Sequence, residues 1–253
     1  MVKSTEIRSY PVIQELSKAL ADYVAELSRE AVSVRNRFTV GLSGGSLPRI
    51  LAAELKNRQD IDWDKWIVFF CDERLVSLAS EDSNYKLAKE ELFDHVPIPE
   101  ANIYTVDESL IANAEEAAND YQDKLISVFA AMNTAKFPVF DLLLLGMGPD
   151  GHTCSLFPDE KYAEVLNEPV AWVTFVEDSP KPPPRRITFP LTVLNHAHNV
   201  AFVVTGEGKK NVLHKVIDLH DTTYPAALVK PVNGKLIWFL DDAASASLDG
   251  LKK

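Results

Sequence analysis

The sequence lacks the features that mark membrane-spanning or disulfide-stabilised proteins. Its only cysteines among 253 residues are Cys71 and Cys154, too few for a disulfide framework or a thiolate zinc site. No apolar run reaches the roughly 18 residues that a membrane helix needs. The first residues, MVKSTEIRSY, also lack the apolar core of a signal peptide. We therefore expect a cytoplasmic protein that does not associate with membranes.

Positive charge is also scarce. The chain has 26 Lys and Arg against 37 Asp and Glu, giving a formal net charge of −11. Such a surface repels nucleic-acid phosphates, so we expect no nucleic-acid partner, and nothing in the sequence indicates an obligate protein partner. Screening confines the repulsion to about 8–10 Å at physiological salt. A small anionic ligand can therefore still bind where basic side chains and backbone N–H groups are concentrated.

Apolar periodicity predicts alternating helices and strands. Predicted helices cover about 11–33, 46–56, 84–93, 111–132 and 208–219, and predicted strands cover 38–42, 66–71, 141–145, 171–176, 199–204 and 236–240. Ser46 is placed to cap the second helix, with Pro48 in its first turn. This alternation predicts an α/β fold: a doubly wound, mostly parallel sheet with helices on both faces, Rossmann-like. No linker or repeat divides the chain, so we expect a single domain over 1–253.

Ligands of open parallel sheets bind beyond the carboxyl ends of the strands, and three segments there are unusual. The first is Gly41-Leu-Ser-Gly-Gly-Ser, where backbone N–H groups and a following helix N-terminus favour an anion such as phosphate. A plain tight turn is the alternative. No Gly-Lys-Ser/Thr follows, so the segment is not a nucleotide P-loop.

The second segment is Cys71-Asp-Glu-Arg, at the end of a predicted strand. Its two carboxylates and guanidinium are suited to contacts with sugar hydroxyls or, alternatively, to a salt-bridged cluster. Cys71 is a poor candidate nucleophile, because no positive residue immediately flanks it to lower the pKa of the thiol.

The third segment, Gly146-Met-Gly-Pro-Asp-Gly-His, contains the G-x-G-x-x-G pattern of dinucleotide sites. Pro149 interrupts that pattern, and Glu168 precedes Pro169 at the start of a predicted strand, whereas the acidic residue of the fingerprint ends one. We therefore expect no nicotinamide cofactor. His152 is the stronger candidate, because a histidine at a strand end suits general base catalysis near neutral pH. The other five histidines are expected to be surface residues.

Taken together, these segments resemble the 6-phosphogluconolactonase family, whose fold is shared with glucosamine-6-phosphate deaminases. Further matching motifs occur in order between about residues 38 and 240: Gly148-Pro-Asp-Gly-His-Thr-Cys-Ser-Leu-Phe-Pro, Ser179-Pro-Lys-Pro-Pro-Pro-Arg-Arg-Ile-Thr, Gly206-Glu-Gly-Lys and Pro225-Ala-Ala-Leu-Val. The resemblance implies hydrolysis of 6-phospho-glucono-δ-lactone to 6-phosphogluconate in the oxidative pentose phosphate pathway. It implies no required metal and no nucleotide cofactor.

The resemblance also implies roles for individual residues. His152 is the expected catalytic base, and Asp72 and Asp150 are expected to orient either substrate hydroxyls or His152. The substrate phosphate is expected in the loop Ser43, Gly44, Gly45 and Ser46, with charge from Arg186 and Lys209. Arg74 is a further candidate contact. Arg185 competes with Arg186, although the family pattern keeps the arginine directly before Ile/Val-Thr.

Three other functions fit parts of the pattern less well. Glucosamine-6-phosphate deaminases place a glutamate five residues after the histidine, where this chain has Phe157. Gly41-Leu-Ser-Gly-Gly also fits the Gly-x-Ser-x-Gly elbow of serine hydrolases, but His152 lies earlier than a triad histidine usually does. A catalytically inactive sugar-phosphate binding protein is the third, although His152, Arg186 and Lys209 are all present.

Overall fold

The computed structural model describes residues 5–130 and 136–251. Its strands are β1 (Glu6–Tyr10), β2 (Phe38–Leu42), β3 (Trp66–Phe70), β4 (Asp72–Arg74), β5 (Leu142–Leu145), β6 (Thr174–Val176), β7 (Arg186–Thr188), β8 (Asn199–Val204) and β9 (Lys235–Asp241). Its α-helices are α1 (Ile13–Arg35), α2 (Leu47–Leu55), α3 (Asn84–Glu91), α4 (Ala114–Phe129), α5 (Ala163–Leu166), α6 (Leu191–Leu194), α7 (Lys210–Ile217), α8 (Pro225–Leu228) and α9 (Asp242–Ser245).

Six strands form one parallel sheet in the order β1-β9-β8-β5-β2-β3. Its central strands are short apolar runs, such as Leu142–Leu145, and are buried throughout. Parallel sheets are covered on both faces, so their strands need no polar alternation. The predicted doubly wound α/β fold is confirmed.

Successive side chains of these strands point into two separate hydrophobic clusters. Leu142 and Leu144 join α1, α2 and α3 on one face, whereas Leu143 and Leu145 join α4 and α7 on the other. This is the period-two geometry of a strand buried on both sides. The sheet is therefore a shared wall between two layers of helices.

A second, smaller sheet differs from the sequence prediction. The run 171–176 is not part of the parallel sheet: only Thr174–Val176 is a strand, and it pairs antiparallel with β7, which pairs antiparallel with β4. Both β4 and β7 have three residues each and carry charged side chains, so no apolar run indicates them. The edge strand β1 was likewise not predicted.

The helix boundaries differ from the predictions in several places. Helix α4 begins at Ala114 instead of 111, because the Asn113 side chain caps its first turn, and the predicted end at 132 lies outside the described residues. The predicted cap by Ser46 is wrong, since its side chain makes no capping hydrogen bond. Helix α7 is shorter than 208–219 and follows a 3₁₀ turn over Glu207–Lys209. Among the described residues, we find no helix with the length and apolarity needed to cross a membrane.

Candidate active site

The order in which successive strands are added to the sheet changes direction between the neighbouring strands β2 and β5. From β2 it passes through α2 to β3 at one edge, whereas β5, on the other side of β2, leads towards β8 and β9. Beyond the carboxyl ends of these strands lies a cavity of about 270 Å³, close to the lower end of the roughly 300–1,000 Å³ typical of small-ligand sites. Such a switch point is where open α/β sheets bind ligands.

The loop after β2 forms one wall of the cavity, and Ser43, Gly44, Gly45 and Ser46 all line it. Ser43 donates its backbone N–H to Leu144, which keeps the loop aligned with β5. Within the part of the chain that the structure describes, the N–H groups of Gly44 and Gly45 make no hydrogen bond to the protein. They are free donors at the entrance to α2, where a helix N-terminus favours an anion.

The loop after β5 holds His152 in a tight backbone turn. Gly148 and His152 are joined by one backbone hydrogen bond, and Gly151 donates back to Gly148. Gly151 has a φ of 77°, a left-handed conformation that favours glycine. Gly148 lies directly under the imidazole: a Cβ there would come within 2.1 Å of the His152 ring and 2.5 Å of Asp150 Oδ1. The turn therefore fixes the position of the ring.

The imidazole of His152 contacts both a carboxylate and an ammonium group. Its Nδ1 lies 2.5 Å from Asp150 Oδ1 and 3.0 Å from Lys181 Nζ, which lies 3.0 Å from Asp150 Oδ2. Burial opposes ionisation of Asp150, yet the contacts with His152 and Lys181 hold the pKa of this carboxyl below its ordinary value. Asp150 is therefore an ionised acceptor at neutral pH. It does not itself line the cavity but supports His152 from behind.

Asp72 lies on the floor of the cavity at the start of β4. The residue is buried, and its Oδ2 accepts a hydrogen bond of 3.0 Å from the Ser155 hydroxyl. The Asn84 side chain donates to the Asp72 carbonyl oxygen, which ties this corner to the first turn of α3. Among the described residues, Arg74 forms no ion pair with Asp72 or Glu73, so the alternative of a salt-bridged cluster is not the arrangement found.

Two arginines line the cavity side by side. Arg74 and Arg186 are directly opposite each other in the antiparallel pairing of β4 and β7. Burial, together with the charge of Arg74, lowers the pKa of Arg186. The Arg74 Nε is buried without a hydrogen-bond partner. Two guanidinium groups held this close are stabilised by an anion between them, because like charges on opposing strands otherwise repel.

Of the other basic residues predicted for the site, Lys209 and Arg186 line the cavity and Arg185 does not. Lys209 lines the cavity, donates to the Met147 carbonyl and has a pKa lowered by burial. Arg185 points away, donating to the Ala112 carbonyl at 2.6 Å, so of the neighbours Arg185 and Arg186 only Arg186 lines the cavity. Arg186 also donates to the carbonyls of Lys181, Pro182 and Pro183, so it anchors the proline-rich loop as well.

The structure thus brings the sequence-predicted site residues to one place, with Asp150 behind the cavity and the others lining it. Sequence reasoning missed Lys181, Asn84 and the close approach of Gly148 to His152. Lys181 and Gly148 both fall inside segments singled out for the family resemblance, but their contacts with His152 and Asp150 depend on loop geometry that the sequence does not contain.

Two alternative nucleophiles are poorly placed. Cys71 is buried, and burial raises the pKa of its thiol, which disfavours the reactive thiolate. The Ser43 hydroxyl contacts the Cys154 sulfur at 3.8 Å, and no histidine bonds to it among the described residues. Neither group is activated as covalent catalysis requires.

Comparisons with known proteins agree with the fold. Residues 11–238 match the model of the family described as glucosamine-6-phosphate isomerases/6-phosphogluconolactonase. The chain is 47% identical over 241 residues to the human protein named 6-phosphogluconolactonase, covering 93% of this chain and 90% of that one. The chain therefore belongs to the glucosamine-6-phosphate isomerase/6-phosphogluconolactonase family.

Solved structures place the chain within that family. The 6-phosphogluconolactonase from Thermotoga maritima is 31% identical, with a TM-score of 0.81 over 94% of this chain and 100% of that one. A monomeric glucosamine-6-phosphate deaminase shares the fold, with a TM-score of 0.77 over 96% of this chain and 99% of that one, at 15% identity. The expected resemblance and the expected class of lactone hydrolase are confirmed.

Proposed function

We propose that this protein hydrolyses 6-phospho-glucono-δ-lactone to 6-phosphogluconate, the second step of the oxidative pentose phosphate pathway, in the cytoplasm. Human and Thermotoga relatives with this activity in their names support the substrate. The cavity supports it independently, because it combines a cationic end with a histidine that can act as a base. No metal or nucleotide is part of the proposal.

The phosphate end of the substrate lies in the cationic part of the cavity. Arg74, Arg186 and Lys209 supply charge there, and the free N–H groups of Gly44 and Gly45 supply neutral donors. Charge-assisted hydrogen bonds to phosphate are roughly twice as strong as neutral ones. This concentration of donors offsets the repulsion from a molecule of net charge −11.

The lactone carbonyl then faces His152. The imidazole removes a proton from a water molecule, and the hydroxide adds to the carbonyl carbon. As the ring C–O bond breaks, the protonated imidazole returns its proton to the ring oxygen, leaving a hydroxyl and a carboxylic acid, which then releases its own proton to solvent to give the carboxylate. Asp150 orients the ring through Nδ1, so that Nε2 is the nitrogen facing the cavity. Asp72 binds a substrate hydroxyl or the water.

Phe157 separates this reaction from the deaminase reaction of the same family. Its ring packs on the imidazole of His152 with centroids 5.0 Å apart, at the position where deaminases have a glutamate. A phenyl ring cannot accept a proton from the imidazole or share its charge. The lactone reaction needs only one base, which the cavity provides.

The observation that carries the proposal is the placement of His152 in the same cavity as the cationic groups. His152→Asn keeps a polar side chain but removes the base, so kcat should fall by about 10²-fold or more, with KM little changed. The measurement is lactone hydrolysis coupled to 6-phosphogluconate dehydrogenase.

His196→Asn is the matched control, because His196 is exposed, does not line the cavity, and contacts the Thr192 carbonyl and the Phe137 ring. A near-normal kcat in His152→Asn would transfer the role of base to another group, with Asp72 next. Binding of the lactone without turnover by the wild type would instead indicate a sugar-phosphate binding protein.

A further inference from the structure

The side chain of Lys181 has no role in the reaction described above, yet it reaches the group proposed as the base. Its Nζ lies 3.0 Å from His152 Nδ1 and 3.0 Å from Asp150 Oδ2, and the side chain is only 37% exposed. Each of the three side chains, His152, Asp150 and Lys181, therefore contacts the other two.

These contacts cannot all be hydrogen bonds at once. An ammonium group only donates and an ionised carboxylate only accepts, whereas Nδ1 of a neutral imidazole does one or the other. The 2.5 Å contact with Asp150 requires a hydrogen on Nδ1, so Lys181 has no acceptor there. Its hydrogen bond goes to Asp150 Oδ2, and its charge is left facing the ring.

The backbone around Lys181 is held in place. The Lys181 N–H donates to the Ser179 hydroxyl, and its carbonyl accepts from Arg186 at 2.8 Å. Ser179 N–H donates to the Pro184 carbonyl, which closes the proline-rich loop. The contact between Lys181 and Asp150 therefore arises from a loop whose backbone is ordered by hydrogen bonds.

We propose that Lys181 is a positioning residue for the general base. It turns the carboxylate of Asp150 so that Oδ1 meets Nδ1, and its positive charge, 3.0 Å from Nδ1, opposes the addition of a second positive charge to the imidazole ring. The inference rests on the proposed function of His152 as the base.

Other charged groups around His152 are accounted for. Asp150 faces the ring from its own loop, and Lys181 from the proline-rich loop. Lys209, on the 3₁₀ turn before α7, is close enough for its own pKa to be influenced by both Lys181 and Asp150, although burial is the larger influence. Arg186 contacts Phe157, the residue that packs on the imidazole, and its Cζ lies 5.8 Å from the centroid of the phenyl ring. Of these, Lys181 alone contacts both Asp150 and His152.

The first test compares the pH dependence of kcat/KM. Lys181→Met should move the acid limb to higher pH by about 0.5–1 unit, because loss of a nearby cation favours the imidazolium. Activity at pH 6–7 should fall about 3- to 10-fold through kcat, with KM for the phosphorylated lactone unchanged. Lys181→Arg should restore the wild-type limb.

Lys161→Met is the matched control, because Lys161 pairs with Asp178 beside the same loop and contacts neither Asp150 nor His152. It should leave the profile unchanged. An unshifted acid limb in Lys181→Met, or an equal shift in Lys161→Met, overturns the proposal. A raised KM for the phosphorylated lactone with an unshifted limb does so too, since Lys181 would then be a substrate contact.

A second measurement does not depend on activity. In protein carrying ¹⁵N-labelled histidine, the His152 signals are those lost in His152→Asn. They should show hydrogen on Nδ1, and they should change with pH at a higher pH in Lys181→Met than in the wild type. Hydrogen on Nε2, or identical titrations, overturns the inference even in a protein with full lactonase activity. A protein without that activity but with the expected signals refutes only the proposed function.

Discussion

At the scale of single residues, Gly148 is the position where the smallest change should have the largest effect on the site. Its φ is not in the left-handed region, so the backbone itself accepts alanine, but the added Cβ would collide with the His152 ring and Asp150. Gly148→Ala should displace the imidazole, lowering kcat by roughly 10-fold or more while the melting temperature changes little. Steady-state kinetics and thermal unfolding measure the two effects.

Gly208→Ala provides the comparison for this substitution. A Cβ at Gly208 meets nothing within 4 Å, so the variant should keep wild-type kinetics. If Gly148→Ala were also fully active, the imidazole would have room to move without losing function, and its tight packing would be irrelevant to catalysis.

Lys209 is the cleanest probe of the phosphate end, because Arg186 also anchors a loop and its loss would have two effects. Lys209→Ala should raise KM for the phosphorylated lactone about 10- to 150-fold, as expected for a charge-assisted contact worth roughly 1.5–3 kcal/mol. Some of the loss can appear in kcat, since remote binding energy also positions the reacting carbon. Unphosphorylated gluconolactone should be a poor substrate of the wild type, and its hydrolysis should scarcely change in this variant.

Lys210→Ala is the neighbouring control, because Lys210 pairs with Glu207 and does not line the cavity. It should not alter KM for either lactone. Equal losses for both lactones in Lys209→Ala would place the ammonium against the sugar ring or in support of the fold.

Residue types at strand ends were enough to predict which segments meet, but not how their side chains pair. Gly44 and His152 could be predicted because each lies in a glycine-rich motif that follows an apolar strand, whereas Arg186 was predicted only from the resemblance to the family. The role of Lys181 could not be predicted, because a proline-rich run has no periodicity from which the direction of the lysine side chain could be inferred. Its contact with Asp150 depends on the closure of the loop over Arg186.

At the scale of elements, apolar patterning predicted the buried strands and missed the polar ones. Strand β5 is a run of four leucines, whereas β4 reads Asp-Glu-Arg and β7 reads Arg-Ile-Thr. Three of the polar side chains in the last two strands, Asp72, Arg74 and Arg186, line the cavity. Strand β1, Glu-Ile-Arg-Ser-Tyr, lies at an edge and is only half-buried, so it too lacks an apolar run.

Glu73 joins two elements, β4 and the first turn of α3. Its buried carboxyl accepts from the N–H groups of Arg74, Asn84 and Tyr85 and from the Ser83 hydroxyl. Burial nevertheless raises its pKa from 4.5 to about 7. The folded state thus keeps a proton that the unfolded chain releases near pH 4.5, so the stability contributed by Glu73 should fall as pH rises from about 4.5 to 7.

Glu73→Gln cannot ionise and removes this dependence. The free energy of unfolding of the wild type, relative to Glu73→Gln, should decrease by about 1–3 kcal/mol between pH 5 and pH 8. Urea unfolding at several pH values measures the difference, and any constant offset from the amide cancels. If the wild type instead gained stability over the variant with rising pH, the three backbone donors would outweigh the cost of burial.

At the scale of the whole molecule, one continuous sheet joins both halves of the chain. Trp66 in β3 and Trp238 in β9 are both buried and lie towards opposite edges of that sheet. We predict a single cooperative unfolding transition, as expected of a single domain over 1–253. Far-UV circular dichroism and tryptophan fluorescence in urea should coincide, for the wild type and for Trp66→Phe and Trp238→Phe. Two resolved transitions would divide the chain into separate domains.

The pairing of β1 with β9 has a consequence for the order in which the protein is made. Tyr10 lies opposite Asp241, so once β1 has been made, about 230 further residues must be added before its partner exists. At about 5–20 residues per second, that wait lasts roughly 10–50 s. The nascent chain can already align β2, β3 and β5, while β1 stays without a neighbour. The β1 edge of the sheet therefore forms only after β9 has been made.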